Sequence, residues 1–197
     1  MSKQTYITTF YILFTILYCG CGLFETRSVE PPVDPRSNFK PPTSPDIVIQ
    51  NVQTCITEKN VNNYMQCFVD SAYSSRRFSY TADVTSQIQY PIFRSWQLNY
   101  ERVYFSNLIA LSNTNAISYL IFSNMVMNPS SDSAVFDADY SLKFEHLKTT
   151  VSQNLSGKIR LSISSDSRNL WGIHNWIDIK PLESDTTWSV LKANFVN

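Results

Sequence analysis

The feature that most constrains the fold of this chain is a change in the spacing of its apolar residues at Asn115. Before this residue apolar side chains recur at intervals of three and four, and after it they recur at every second position. Intervals of three and four are typical of helices that bury one face, and an interval of two is typical of half-buried strands. The sequence therefore predicts helices first and strands afterwards.

Four stretches in the second half of the chain show the alternation. They cover residues 117–122, 136–144, 155–163 and 171–179, and polar turn residues separate them. The connections are too short for the crossovers that parallel strands need, so we expect antiparallel pairing. The predicted fold class is α+β, with N-terminal helices packed on a curved, cone-like antiparallel sheet of four or more strands.

Three helical segments are predicted before the sheet. Ser44, Pro45 and Asp46 have the residue types of a helix start, namely a hydroxyl cap, a proline in the first turn and an acid. The apolar spacing breaks at Asn60 and then resumes, which predicts two short helices. Pro91 opens a longer, uninterrupted helix with an apolar stripe: Ile92, Phe93, Trp96, Tyr100, Val103, Tyr104, Leu108 and Leu111.

Two smaller elements complete the prediction. Phe78 and Tyr80 alternate briefly within the otherwise irregular residues 70–89, which indicates a short strand. Trp188 and Phe195 mark a short helical turn near the end of the sequence.

The N-terminal segment predicts export. Lys3 precedes an uncharged, mostly apolar run from Tyr6 to Tyr18. A run of about 13 residues matches the core of a signal peptide and falls short of the roughly 20 residues that span a bilayer as a helix. We therefore expect residues 1–20 to be a removed signal peptide.

Leu17, Tyr18, Cys19, Gly20 and Cys21 resemble the lipobox of bacterial lipoproteins, in which a small residue precedes the cysteine that becomes the lipidated N-terminus. Tyr18 and Cys19 depart from the residues usual at their positions, and an ordinary secretory signal is the alternative. Cys21 is the expected lipidation site because Gly20 precedes it, whereas a bulky tyrosine precedes Cys19. The resemblance implies attached acyl chains such as palmitate, which would anchor the protein in the cell envelope. Gly22, and not an aspartate, follows Cys21, and by resemblance to enterobacterial sorting this favours the outer membrane.

Residues 21–44 are predicted to be a membrane tether. They contain five prolines, Pro31, Pro32, Pro35, Pro41 and Pro42. Proline removes backbone donors and favours extended conformations, so a semi-rigid spacer is expected; a ligand for a polyproline-binding partner is the alternative. A single folded domain is then expected over residues 45–197.

Charge and cysteine content narrow the function classes. The 16 basic residues balance the 16 acidic ones, which does not favour a nucleic-acid partner. Arg76 and Arg77 are expected in a solvated turn, with an anion site as the alternative. Cys55 and Cys67 are expected to be buried thiols, although an oxidising compartment leaves a disulfide open. No metal or cofactor is predicted, because the sequence lacks ligand spacing, a phosphate-binding loop and a nucleophile motif.

The order of the elements over residues 46–180 resembles the nuclear-transport-factor-2-like superfamily of cone-shaped α+β domains. The segment from Thr57 to Tyr64 looks like the junction between the first two helices of that superfamily. The pattern formed by Trp171, Trp176 and Asp178, followed by residues 187–189, is similar to exported lipoproteins of this kind. The resemblance implies a cone whose interior is either a ligand pocket or a filled core.

The resemblance also implies an enzymatic alternative. Ketosteroid isomerases and limonene epoxide hydrolases of this superfamily place acids and a tyrosine deep in the cone, where burial raises the pKa of an acid. The candidates here are Asp137, Asp139, Tyr140, His174 and Asp178. Alternation puts the first two opposite Tyr140 and therefore in solvent, so the alternative is a hydrolase or isomerase that uses the region of His174 and Asp178.

The leading interpretation is a non-enzymatic, lipid-anchored binding or structural module of the cell envelope. Its partners would be the membrane, through the lipid, and either a small apolar ligand or an envelope protein. Five residues are the candidates for ligand binding: Tyr119, Tyr140, His174, Trp176 and Asp178.

Overall fold

The computed structural model describes residues 37–113, 115–183 and 185–196. The predicted signal peptide, Cys21 and residues 21–36 of the predicted tether lie outside these ranges. Within them, no helix combines the length and the apolar content needed to cross a membrane.

The order of helices and strands follows the prediction. The helices are α1 (Pro45–Glu58), α2 (Val61–Met65), α3 (Val84–Gln89), α4 (Leu98–Ala110) and α5 (Trp188–Phe195), with a 3₁₀-helix at Pro91–Ser95. The strands are β1 (Ser79–Thr81), β2 (Tyr119–Pro129), β3 (Ser133–Lys143), β4 (Asn154–Ser165) and β5 (Trp171–Ile179). The α+β class is confirmed.

The strands form one sheet in the order β1-β5-β4-β3-β2. The four long strands pair antiparallel, as predicted, and β1 adds a parallel edge to β5. The sheet is therefore mixed and five-stranded. A long intervening segment, which contains the 3₁₀-helix and α4, separates β1 from the long strands, so the requirement that parallel neighbours have long connections is met.

Strand β5 contains a bulge that simple alternation did not predict. Asn175 pairs with Ser162 and Ile173 pairs with Ile163, so His174 is an extra residue on β5. An extra residue reverses the face on which the following side chains lie. Ile173 and Trp176 consequently both point into the core, and His174 leaves the face that the alternation assigned to it together with Trp176 and Asp178.

The predicted long helix from Pro91 is interrupted. Trp96 has an extended backbone (φ −62°, ψ 125°) between the 3₁₀-helix and α4. This break turns its indole inward, where Nε1 donates to Glu101 at 2.7 Å. The short helix α3 was not predicted, because its apolar residues Val84 and Ile88 face solvent and give no buried stripe.

Two further expectations concern the packing around α1. Cys55 and Cys67 are both buried free thiols, as expected. Residues 37–44, the last part of the predicted tether, pack against the domain: the backbone of Lys40 hydrogen-bonds to Asn51 in both directions, and Asn38 N donates to Glu58. Any free spacer is therefore shorter than residues 21–44.

Candidate functional site

The concave side of the sheet brings Tyr140 of β3 and Asp178 of β5 together, although β4 lies between them. The Tyr140 hydroxyl donates to Asp178 Oδ1 at 2.8 Å, and both residues are buried. Gly157 of β4 makes this contact possible, since a Cβ at this position would lie 2.7 Å from the Tyr140 hydroxyl. The glycine therefore lets the tyrosine ring lie across β4 and reach the next strand.

The other oxygen of Asp178 is bound by helix α5. Oδ2 accepts from the backbone N of Ser189 at 2.7 Å and from its hydroxyl at 2.5 Å, and the Tyr80 hydroxyl lies 3.4 Å away. Burial raises the pKa of Asp178, although the hydrogen bonds from Ser189 and Tyr140 and the nearby ammonium of Lys192 oppose the shift. This carboxyl is thus a buried acid whose pKa is raised above its ordinary value.

A buried ion pair lies beside Asp178. Lys192 Nζ of α5 donates to Glu101 Oε1 of α4 at 2.5 Å, and both side chains are fully buried. Glu101 also accepts from Tyr64 at 2.9 Å. The ammonium lies 3.8 Å from the ring centroid of Tyr80 and 3.9 Å from that of Trp176. Burial lowers the pKa of Lys192 to about 8, against the opposing effect of the Glu101 carboxylate.

Helix α5 fills the centre of the cone. Trp188 packs edge-on against Trp176 with 4.7 Å between ring centroids, and its indole N donates to Tyr104 at 3.2 Å. Its backbone N donates to Tyr140 at 2.7 Å, and the preceding Thr187 donates to Asp83 at 2.6 Å. We call the residues linked by these contacts the interior network. Its members are Tyr64, Tyr80, Asp83, Glu101, Tyr104, Tyr140, Trp176, Asp178, Thr187, Trp188, Ser189 and Lys192. Its acids have partners from the chain itself, and α5 supplies several of these partners.

The five residues predicted to bind a ligand do not share one site. Tyr140, Trp176 and Asp178 belong to the interior network. His174 lies outside it because of the bulge; its Nε2 is 3.4 Å from Arg76, and burial together with this cation lowers its pKa. Tyr119 lies on the edge strand β2 and is 40% exposed.

An open cavity of about 510 Å³ lies on another side of the domain. We call it the lateral cavity. It is bordered by the segment after α2, the start of α4 and the hairpin between β4 and β5. Its apolar wall consists of Met65, Phe68, Leu98, Leu170 and Trp171. A volume of this size is within the range of small-molecule sites, which span about 300–1,000 Å³.

Two polar residues of the lateral cavity lack partners. Arg102 is exposed and forms no ion pair with any residue that the structure describes. Ser164 is 1% exposed, and its hydroxyl has no hydrogen-bond partner within the described chain. By contrast, Arg168 is held by Asp166 at 2.7 Å and by Asp70 at 3.6 Å.

Sequence reasoning missed the lateral cavity. Its residues come from separate segments, and neither Arg102 nor Ser164 differs in its local pattern from ordinary surface residues. A second cavity of about 370 Å³ shares Val69, Ser71 and Leu98 with it and includes Arg76 and Arg77. The paired arginines were therefore the one available signal. Among the described residues, no group of three or more His, Cys, Asp or Glu side chains could hold a metal ion.

Comparison with known proteins identifies the fold. No protein-family model matches the sequence, and a search of curated proteins found no match. Solved structures do match. An NTF2-like superfamily protein from Salmonella enterica serovar Typhimurium is 12% identical with a TM-score of 0.51, over 71% of this chain and 89% of that one.

Two further structures agree with this match. A protein of Novosphingobium aromaticivorans described as a candidate aromatic ring hydroxylase is 9% identical with a TM-score of 0.50, over 74% of this chain and 92% of that one. A protein of unknown function from Mycobacterium tuberculosis is 11% identical with a TM-score of 0.51, over 77% and 83%. Identities this low establish the fold and no activity. The chain has the NTF2-like fold, which confirms the resemblance seen in the order of its elements.

Proposed function

We propose that this chain is a lipid-anchored binding module of the bacterial cell envelope that holds a small ligand in the lateral cavity and performs no reaction on it. One observation carries the binding part of this proposal. The acid that could serve catalysis, Asp178, is enclosed by the chain's own helix α5, whereas the accessible cavity contains Arg102, a cation without an ion pair among the described residues.

The anchoring part is supported by the sequence pattern at Cys21, which follows an apolar run and a small residue. Acylation at this cysteine would supply more than one chain, and stable anchoring needs about two such signals. The outer membrane is the proposed location, on its periplasmic side or at the surface.

Binding is tested by native mass spectrometry of the full-length protein extracted from its host membrane. An additional non-covalent mass that disappears on denaturation is expected. Ser71 is exposed and borders the lateral cavity, so Ser71→Trp should block the cavity and remove that mass. The matched control is Ala72→Trp, because Ala72 is the exposed neighbour that does not line the cavity. A bare protein, or a mass that Ser71→Trp retains, would contradict binding in this cavity.

Anchoring is tested by metabolic labelling with an alkyne fatty acid in the host. Cys21→Ser should abolish the label and release the protein from the membrane fraction, whereas the control Cys19→Ser should keep both. If only the Cys19→Ser variant loses the label, the modified residue is Cys19 and not Cys21. An unlabelled native protein would mean an ordinary secretory signal.

One observation favours an enzymatic alternative. Asp178 has a raised pKa and lies 2.8 Å from the Tyr140 hydroxyl, a pair suited to proton transfer if α5 moves away. A screen of ester, epoxide and ketosteroid substrates would test it. Turnover that Asp178→Asn abolishes, while the melting temperature of the variant stays within a few degrees of the native value, would favour a cavity enzyme over the binding module.

A further inference from the structure

The lateral cavity has features that select the charge and shape of its ligand. This inference rests on the proposed binding function and goes further by naming a ligand class. The relevant features are the balance of charges at the cavity, its apolar wall and one buried hydroxyl.

The charges favour an anion. Four arginines line the lateral cavity and the adjoining smaller one, namely Arg76, Arg77, Arg102 and Arg168, against two carboxylates, Asp70 and Asp166. Both carboxylates already contact Arg168, whose guanidinium also stacks on Tyr73 at 3.6 Å. Arg76 in turn pairs with Asp132 at 3.4 Å, so four arginines face three carboxylates and the region keeps a net positive charge.

Arg102 is the cation available to a ligand in the lateral cavity. It projects from the second turn of α4, directly after Glu101, and has no ion pair among the described residues. A guanidinium offers a planar fork of donors that matches a carboxylate in two parallel hydrogen bonds. Arg77 in the adjoining cavity is also exposed and without an ion pair in the described chain, which adds to the local positive potential.

The wall favours an apolar body next to the charge. Met65, Leu98, Leu170 and Trp171 are only partly buried, so a ligand could cover their remaining exposed surface. Removing apolar surface from water is favourable roughly in proportion to the area that is covered. A small inorganic anion would leave this wall uncovered, and an apolar anion would cover it.

The buried hydroxyl of Ser164 at the lateral cavity favours a ligand that carries an oxygen. Ser164 borders the cavity, and its buried hydroxyl has no partner among the described residues. A buried hydroxyl without a partner is unfavourable, and a hydrogen bond from a ligand oxygen would remove this penalty. Because a hydroxyl can both donate and accept, it suits a ligand hydroxyl or carbonyl.

We propose that the lateral cavity binds a small amphipathic carboxylate, with the carboxylate on Arg102, the apolar body against Trp171 and the neighbouring wall, and an oxygen of the ligand facing Ser164. The cavity volume of about 510 Å³ fits a molecule of this kind and not a folded partner.

The test compares acids with their neutral amides on the full-length protein. The probes are 4-hydroxyphenylacetate and octanoate, each measured beside its amide by calorimetry or ligand-observed NMR. At least one acid is expected to bind 10-fold or more tightly than its amide. Arg102→Gln should abolish this preference, and Arg102→Lys should restore part of it because the charge returns without the fork. Ser164→Ala should weaken binding of the hydroxylated acid several-fold.

The controls locate the binding. Ser71→Trp should abolish it and Ala72→Trp should leave it unchanged. The inference is overturned if neither acid binds more tightly than its amide, or if Arg102→Gln leaves the preference intact. If native mass spectrometry identifies a bound ligand that is neutral or cationic, this inference is overturned while the binding function stands. No ligand mass and no acid binding would overturn both.

Discussion

Two consecutive residues of α4 have opposite surroundings. Glu101 is fully buried and is bound by Lys192, Tyr64 and Trp96, whereas Arg102 is exposed and has no ion pair with a described residue. The same contrast separates the charged groups of the interior network from Arg102 in the lateral cavity. Polar groups that the chain itself satisfies hold elements together, and polar groups left without partners beside an open cavity are available to a ligand.

The interior network uses buried acidic residues to hold helices and strands together. Burying two opposite charges gives little net stability, but removing one of them leaves the other without compensation. The network therefore determines where α5 sits, because Lys192, Ser189 and Trp188 each find their partners only when the helix lies in the cone. The predictions below test this division between the two regions.

The largest expected effect is that of Lys192→Met. The variant leaves the Glu101 carboxylate buried without its cation, and such losses typically cost about 3–5 kcal/mol of the free energy of unfolding. Urea denaturation measures it. The double variant Lys192→Met with Glu101→Leu should lose much less free energy of unfolding than the two single variants lose when their losses are added. A single variant of nearly native stability would show that α5 is not held by this pair.

The next effect is that of Gly157→Ala. The added methyl group would overlap the Tyr140 hydroxyl and the backbone oxygen of Ile179, both of which lie within 2.9 Å of its position. Overpacking of this kind costs about 1–3 kcal/mol. Ser162→Ala, on the same strand, should change the free energy of unfolding by less than about 0.5 kcal/mol. Equal losses of stability in the two variants would mean that the placement of the Tyr140 side chain across β4 does not require Gly157.

The pH dependence should differ between the native protein and Lys192→Met. The folded protein lowers the pKa of Lys192 from 10.5 to about 8, so between these values the unfolded chain binds more protons and stability rises with pH. From pH 7 to pH 9 the native protein should gain about 1 kcal/mol relative to the variant, at 1.36 kcal/mol per pKa unit. Parallel curves in urea denaturation at the two pH values would contradict the lowered pKa.

The smallest expected effect on stability is that of Arg102→Gln. An exposed side chain without a partner should change the free energy of unfolding by less than about 0.5 kcal/mol. Glu101→Gln, one residue away, should cost several times more because Lys192 would then lack its counter-charge. Similar losses in the free energy of unfolding for both variants would contradict the proposed difference between the interior network and the lateral cavity.

Local patterns predicted the elements whose side chains follow a simple period. The alternation on β3 and β4 and the helix start at Ser44 depend on neighbouring residues alone, and the structure confirms them. The bulge at His174 was not predictable in this way, because it exists only through the pairing of β5 with β4. Nor was the break at Trp96, which depends on a contact with Glu101 across the turn.

Candidate site residues were predictable only in part. Tyr140, Trp176 and Asp178 were singled out from the sequence, yet their enclosure depends on α5, whose Lys192 gave no signal that it would be buried. The lateral cavity combines Ser164 with Arg102 and Trp171 from three distant segments. No local pattern connects such residues.

By itself the sequence determined the order of helices and strands and the class of the fold, because periodic burial is a property of adjacent residues. It also carries the prediction of a lipid anchor at Cys21, which the described residues do not include. Only the tertiary structure decided that the cone is occupied by α5 and that a separate cavity holds a cation with no ion pair in the described part of the chain. The position of α5 and the lateral cavity both depend on contacts between side chains from distant segments. These contacts determine whether a charge is compensated within the protein or remains available to a ligand.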